Sequence, residues 1–273
     1  MDNKKILITG ATGNVGYQVI RFLMEKQSKN QVIAGVRNIE KAKKHFKNYP
    51  KLQYVEFDLE DASTFDQSLS GMDTIFLLRP PHISDIEKYF APLIDKIKEK
   101  NIREIVFLSV QGAEKSKVIP HHKIENLILA SNIDYVFLRP SYFMQNLTTT
   151  LLKEIQEKRS ITLPSRNAKF NWIDIDNIGE AGAVIIEKFS EYKNQAYELT
   201  GYENENFNTV TELINSVVTK PIYYKHANPF RFYLIKKREG IPKGMIVVMT
   251  ILHLLPRFQG EPHISDSYEK ITG

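Results

Sequence analysis

Three glycines spaced three apart, Gly10, Gly13 and Gly16, stand between an aliphatic run, Ile6 to Ile8, and an amphipathic stretch from Val15 to Lys26. Glycine admits positive φ at a tight turn, and without a Cβ it lets the backbone come close to a diphosphate. The free amide hydrogens of a first helical turn, at the positive end of the helix dipole, then form an anion site. The stretch Gly10, Thr12, Gly13, Asn14, Val15 and Gly16 is therefore expected to hold the diphosphate of a dinucleotide. A glycine-rich turn that binds nothing is the competing reading; the position directly after the first strand favours the ligand.

Arg37 follows a second aliphatic run, Gln31 to Val36. Dinucleotides with a free ribose 2′-hydroxyl are usually met there by an acid, and those with a 2′-phosphate by an arginine. Val36-Arg37-Asn38 offers no carboxylate, the planar guanidinium suits phosphate, and Lys41 lies one helical turn on. NADP(H) is expected in preference to NAD(H). The alternative is an ordinary exposed arginine.

These residues need a scaffold, and the hydrophobic pattern supplies one. Strands are expected at 6–8, 31–36, 52–57, 74–78, 104–108 and 135–138, alternating with helices near 15–26, 39–48, 62–70, 85–100 and 121–130. Strands and helices alternating at this length predict an α/β fold with a doubly wound parallel sheet, its ligand edge at the strand carboxyl ends. Gly10, Arg37, Asp58, Arg79, Ser109 and Pro140 all fall on that edge. Beyond Leu151 the alternation loosens into short strands near 161–163, 170–172 and 197–199 and helices at 176–188, 208–218, 229–238 and 243–255. We expect residues 1–150 to form the nucleotide domain. Residues 151–273 are expected to form a smaller mixed α/β lobe for substrate or partner, with some segments returning to the core and no linker between.

Composition removes several function classes. There is no cysteine, so disulfides, thiolate metal sites and cysteine nucleophiles are excluded. No H-x-x-x-H or H-E-x-x-H pattern occurs, and no metal is expected. The net charge of +5 and pI near 9.0 would suit nucleic acid, but the lysines are spread along several helices among acids, the densest group being Lys41, Lys43, Lys44 and Lys47. A solvated face is the better reading, and no nucleic-acid partner is expected. The most apolar late run, Met245 to Leu255, is shorter than the roughly 20 residues a membrane span needs. Met1-Asp2-Asn3-Lys4-Lys5 is followed by too few apolar residues for a signal sequence, so the expected location is cytoplasmic.

Several blocks together resemble one family. Gly10-Ala11-Thr12-Gly13-Asn14-Val15-Gly16, Val36-Arg37, Pro120-His121-His122-Lys123-Ile124-Glu125, Leu138-Arg139-Pro140-Ser141-Tyr142-Phe143-Met144-Gln145-Asn146 and Asp174-Ile175-Asp176-Asn177-Ile178-Gly179 look like the NmrA-like family of atypical short-chain dehydrogenase/reductases, in the NAD(P)-binding Rossmann superfamily. The resemblance covers about residues 4 to 200 well and the tail loosely. It implies cofactor diphosphate at the glycine turn, the 2′-phosphate at Arg37, adenine at Asp58 and Leu59, and a loop from Pro140 through Tyr142 and Phe143 beside nicotinamide. Asn146 would face the pocket. Asp58 has the competing reading of a turn residue. Trp172, with the late aromatics Phe230, Phe232, Tyr233 and Phe258, would line a substrate pocket or pack the core.

The superfamily normally pairs a serine after the fifth strand with Tyr-x-x-x-Lys on the next helix. Ser109 is in place, but four residues before Lys123 stands Ile119, which has no phenol. Tyr233 to Lys237 has the spacing but lies far beyond the core strands. Ser109, His121 and Lys123 remain as catalytic candidates, with Lys123 also a candidate for the nicotinamide ribose; surface capping residues are the alternative for His121 and Lys123. Family members include NADPH-dependent quinone or azo reductases and cofactor-sensing regulators without turnover. The expected activity is direct hydride transfer from NADPH to a quinone or similar flat, small-molecule acceptor, without flavin. The alternatives are a non-enzymatic NADP(H) sensor with a protein partner and, weaker, a nucleotide-sugar epimerase or dehydratase, disfavoured by the missing tyrosine. A monomer or homodimer is expected.

Overall fold

The computed structural model describes residues 3–115, 117 and 119–273. Met1 and Asp2, part of the amino-terminal segment weighed above, lie outside the described residues, as do Ser116 and Val118. In chain order the strands are β1 (Lys5–Ile8), β2 (Gln31–Val36), β3 (Gln53–Glu56), β4 (Thr74–Leu78), β5 (Glu104–Leu108), β6 (Asp134–Pro140), β7 (Tyr142–Phe143), β8 (Ser160–Leu163), β9 (Phe170–Ile173), β10 (Gln195–Leu199), β11 (Asn204–Glu205) and β12 (Tyr223–His226). The α-helices are α1 (Asn14–Glu25), α2 (Ile39–His45), α3 (Phe65–Ser68), α4 (Ile86–Glu99), α5 (Pro120–Ser131), α6 (Leu152–Lys158), α7 (Ile175–Glu187), α8 (Phe189–Tyr192), α9 (Phe207–Asn215), α10 (Pro229–Arg238), α11 (Lys243–Leu254) and α12 (Ser267–Thr272).

The chain forms two compact units. The first takes the residues up to Pro140 together with Ile175–Leu199 and Asp266–Gly273. Its seven strands lie in the order β10-β6-β5-β4-β1-β2-β3, and every pairing is parallel. This is the doubly wound Rossmann arrangement. Strand order reverses between β1 and β4, the point where such sheets open a crevice at the carboxyl ends of their strands. The central strands are apolar along their length because helices cover both faces, so Ile6, Leu7, Ile8, Ile75, Phe76 and Leu77 are fully buried. One layer is fastened by α4, which buries Ile86, Phe90, Leu93, Ile94 and Ile97 at helical spacing and starts with the Asp85 side chain accepting from Lys88 N. The other holds α1 against α7 at very short range: a Cβ on Gly179 would stand 2.3 Å from Gln18 Cβ. That requirement explains the glycine in the Asp174–Gly179 block.

The second unit is Ser141–Asp174 with Thr200–Ser265. It holds a three-stranded sheet, β11-β9-β7, and a parallel pair, β12-β8. Tyr142, Phe170, Trp172, Phe207 and Phe232 are buried together in its core. The strand Tyr223–His226 carries no clear periodic signal, and it forms because β8 offers it a partner.

Candidate functional site

The turn after β1 is built as its sequence requires. Gly10 has φ +56°, and Gly13 N donates to Gly10 O at 2.9 Å. A Cβ on Gly16 would stand 2.4 Å from Gly10 O, so the helix can begin this close to the turn only with glycine there. Gly13 occupies the N-cap of α1 in an extended conformation, with no side chain capping the helix. The α1 N-terminus therefore keeps its amide donors for a ligand, unlike α2, α4 and α10, which are capped by Asn38, Asp85 and Asn228. Thr12 and Asn14 are exposed, and Val15 is buried beneath the turn.

Thr9 was not among the residues singled out from sequence. Its hydroxyl donates to Phe76 O at 3.0 Å and accepts from Leu78 N at 3.2 Å. It ties the glycine turn to the end of β4 across the switch point. Its place immediately before Gly10 was the only available signal.

Arg37 is exposed at the end of β2, with no hydrogen bond or ion pair to any described residue. Asp58 is half-buried, and one carboxylate oxygen accepts from Glu60 N at 3.0 Å, so it serves a turn while the second oxygen remains. Leu59 beside it is buried. Arg79, at the end of β4, directs Nη1 at the carbonyls of Pro80, Pro81 and Ile83, while its Nε is buried without a partner. Burial holds its guanidinium below the usual arginine range. Pro140 ends β6 and accepts from Gln111 N at 2.9 Å.

The catalytic candidates are differently placed. Ser109 is buried and donates from Oγ to Glu125 Oε1 at 2.6 Å. Glu125 is gripped by Arg139 through Nε at 3.0 Å and Nη2 at 2.7 Å, and Arg139 Nη1 reaches Glu114 at 2.9 Å. Ser109 is thus part of a closed ionic network that sequence spacing did not reveal. His121 packs over Phe107 with ring centroids 6.1 Å apart. Burial, and then the Arg79 charge, push its imidazole down to about 3, so it is neutral at physiological pH. Lys123 is exposed in the first turn of α5, with no salt-bridge partner among the described residues.

The second unit holds the other candidates. Tyr142 is buried, its hydroxyl 2.9 Å from His253 Nε2. Burial raises the phenol well above its ordinary value, while Asn146 pulls the other way. Burial drives fully enclosed His253 down to about 4. Trp172 is 6% exposed and donates from Nε1 to Glu205 O at 2.9 Å, and its ring lies among Tyr142, Phe170 and Phe207. Phe143 and Asn146 are half-buried. The unit also has an open cavity of about 580 Å³, lined by Glu154, Lys158, Ser160, Thr162, Lys225 and Arg231 among others, and none of the predicted site residues borders it.

The model of the NmrA-like family matches residues 2–267. The chain belongs to that family. It is similar to the prestalk A differentiation protein A of Dictyostelium discoideum, with 32% identity covering 98% of this chain and 87% of that protein. It is also similar to the NAD(P)H azoreductase of Xenophilus azovorans, with 26% identity covering 98% and 93%. The fold matches that of the Escherichia coli NADPH-dependent quinone oxidoreductase complexed with NADPH: TM-score 0.86 at 20% identity, covering 98% of this chain and 94% of that one. Among the described residues no helix is long and apolar enough to cross a membrane, and no group of three or more His, Asp or Glu side chains is arranged to hold a metal.

Proposed function

We propose that this NmrA-like protein is an NADPH-dependent oxidoreductase that reduces a quinone or a similar flat acceptor by direct hydride transfer. The observation that carries the reading is the pairing of an uncapped α1 N-terminus, reached through a glycine turn with no room for a Cβ, with an unpaired Arg37 at the neighbouring strand end. These residues fit the cofactor. The α1 amides would take the diphosphate, Arg37 the 2′-phosphate, and Asp58 and Leu59 the adenine end. Lys123, Pro140 and Phe143 are proposed for the nicotinamide end and Asn146 for the acceptor pocket, while the Tyr142 ring, buried in the second unit's core against His253, is left out of that role. The names of the azoreductase and quinone oxidoreductase relatives support the same reading.

Bound NADPH supplies a hydride from its nicotinamide ring. The protein's own groups then decide which acceptors suit it. The Ser109 proton is committed to the Glu125 carboxylate, neutral His121 is no cationic acid, and the superfamily tyrosine is replaced by Ile119. No strong proton donor stands at the expected position, which disfavours a simple ketone, whose alkoxide must be protonated as it forms. A quinone makes a smaller demand, because its reduced form is a stabilised aromatic diolate. NADPH oxidation should exceed background with quinones or azo dyes and stay at background with simple ketones; faster turnover of ketones than of quinones sinks the acceptor assignment.

The same lack of a donor favours a second reading, an NADP(H) sensor that turns nothing over. It predicts NADPH binding with background oxidation across every acceptor tried. Steady turnover of any quinone rules it out.

A further inference from the structure

Helix α11 is apolar on both sides. Ile246, Met249 and His253 are buried in the second unit, yet the opposite side presents Val247 (43% exposed), Val248 (39%), Ile251 (48%) and Leu252 (45%) to solvent. Their spacing makes one continuous stripe, and Leu255 (42%) and Phe258 (76%) extend it past the helix end. A helix apolar all round is ordinarily enclosed, and a contiguous exposed apolar strip marks a surface that something else covers.

The charge around the stripe says what that is. Residues 227–260 carry six basic side chains against one acid, Glu239, an excess of five that equals the net charge of the whole chain, +5. The rest of the molecule is neutral in sum. Glu239 is itself spent on Lys158 and Lys236. Lys237 and Arg238 at the end of α10, which packs on α11, and Lys243 at the start of α11 are exposed with no salt-bridge partner among the described residues. From Lys243 to Gly260 there is no acidic residue at all.

An apolar stripe edged with unpaired cations and free of acids is complementary to the surface of an anionic bilayer: hydrocarbon for the stripe, phosphate and carboxylate headgroups for the cations. We propose that the α10–α11 face docks this protein on an anionic membrane surface. Contact is peripheral, because α11 is only 12 residues long and a span needs about 20. A second copy of the chain is the disfavoured occupant, since two such faces would bring like charges together. The docking is independent of turnover and holds for reductase and sensor alike.

The test is sedimentation of the full chain with vesicles of phosphatidylcholine, with and without phosphatidylserine. The protein should pellet with the anionic vesicles, stay in solution with the neutral ones, and be partly released by added salt. Ile251→Glu with Leu252→Glu, and separately Lys237→Glu with Arg238→Glu, should each weaken recovery by about tenfold. Both pairs are exposed, and an unchanged circular-dichroism melt verifies the fold; the two pairs also check one another. Failure to pellet with anionic vesicles, equal recovery with neutral ones, or a dimer in sedimentation equilibrium that Ile251→Glu dissociates while vesicles are ignored would each overturn the proposal.

Discussion

The two halves of one sheet edge are built on opposite terms. At the ends of β1 and β2 polar groups are left unspent: the α1 amides have no side-chain cap, and Arg37 has no carboxylate partner among the described residues. At the ends of β5 and β6 they are consumed, with Ser109, Glu125, Arg139 and Glu114 satisfying one another. Unspent donors cost little where water reaches them and remain available for an anion. A buried charge left unspent costs several kcal/mol, so the interior half must close on itself. The difference is one of availability: the open half leaves donors that an anion could use, and the closed half spends its charged groups on one another.

The comparison can be tested from both sides. The largest effect is expected in the closed half. Glu125→Ala takes from half-buried Arg139 its two-point partner, leaving it Glu114 and the charge of Glu198, and should cost about 3 kcal/mol in urea unfolding; a loss below 1 kcal/mol would mean the network is not structural. In the open half, Gly16→Ala puts a methyl 2.4 Å from a backbone oxygen. NADPH affinity by calorimetry should fall ~100-fold, about 2.7 kcal/mol, and unchanged affinity would remove the turn from the binding site. Arg37→Glu should cut the preference for NADPH over NADH by roughly 30-fold, about 2 kcal/mol, with NADH affinity nearly unaltered.

Smaller effects sharpen the boundary. Ser109→Ala should cost about 1 kcal/mol of stability, with little change in kcat for a quinone; a collapse of kcat would return Ser109 to the chemistry. His121 titrates at about 3 in the folded chain, against 6.5 ordinarily. The unfolded chain therefore binds more protons between those values, and this histidine's contribution to stability is complete above pH 6.5 and lost as pH falls toward 3. The rate of quinone reduction should accordingly show no inflection near pH 6.5 that His121→Asn removes. Finding one would place a titrating imidazole in the site.

Much of the open half was legible in the sequence because its causes are local. A glycine period after an aliphatic run dictates a turn and a helix start whatever surrounds them, and Arg37 follows its strand directly. The closed half was not legible. Glu125 and Arg139 are 14 residues apart, and Glu125 meets both Ser109 and Arg139 only because β5 and β6 pair and α5 lies beside β6. Spacing placed Ser109 correctly at the edge, but nothing in it showed where the hydroxyl proton goes. Trp172 followed the same pattern: its type was compatible with a pocket or a core, and packing around Phe170 and Phe207 put its ring inside the second unit's core, where Tyr142, expected in the loop beside nicotinamide, is buried too.

By itself the sequence determined the alternation of strands and helices, the parallel sheet and the glycine turn, and it set Arg37 beside that turn as the ground of the coenzyme proposal. Each follows from periodicity, glycine stereochemistry or charge within a few residues. The tertiary structure alone decided that 175–199 and 266–273 belong with the first unit, that Ser109 is tied to a buried carboxylate, and that one side of α11 stays uncovered. Those outcomes depend on which residues distant in the chain come to share a surface, and burial and pairing exist only once they do.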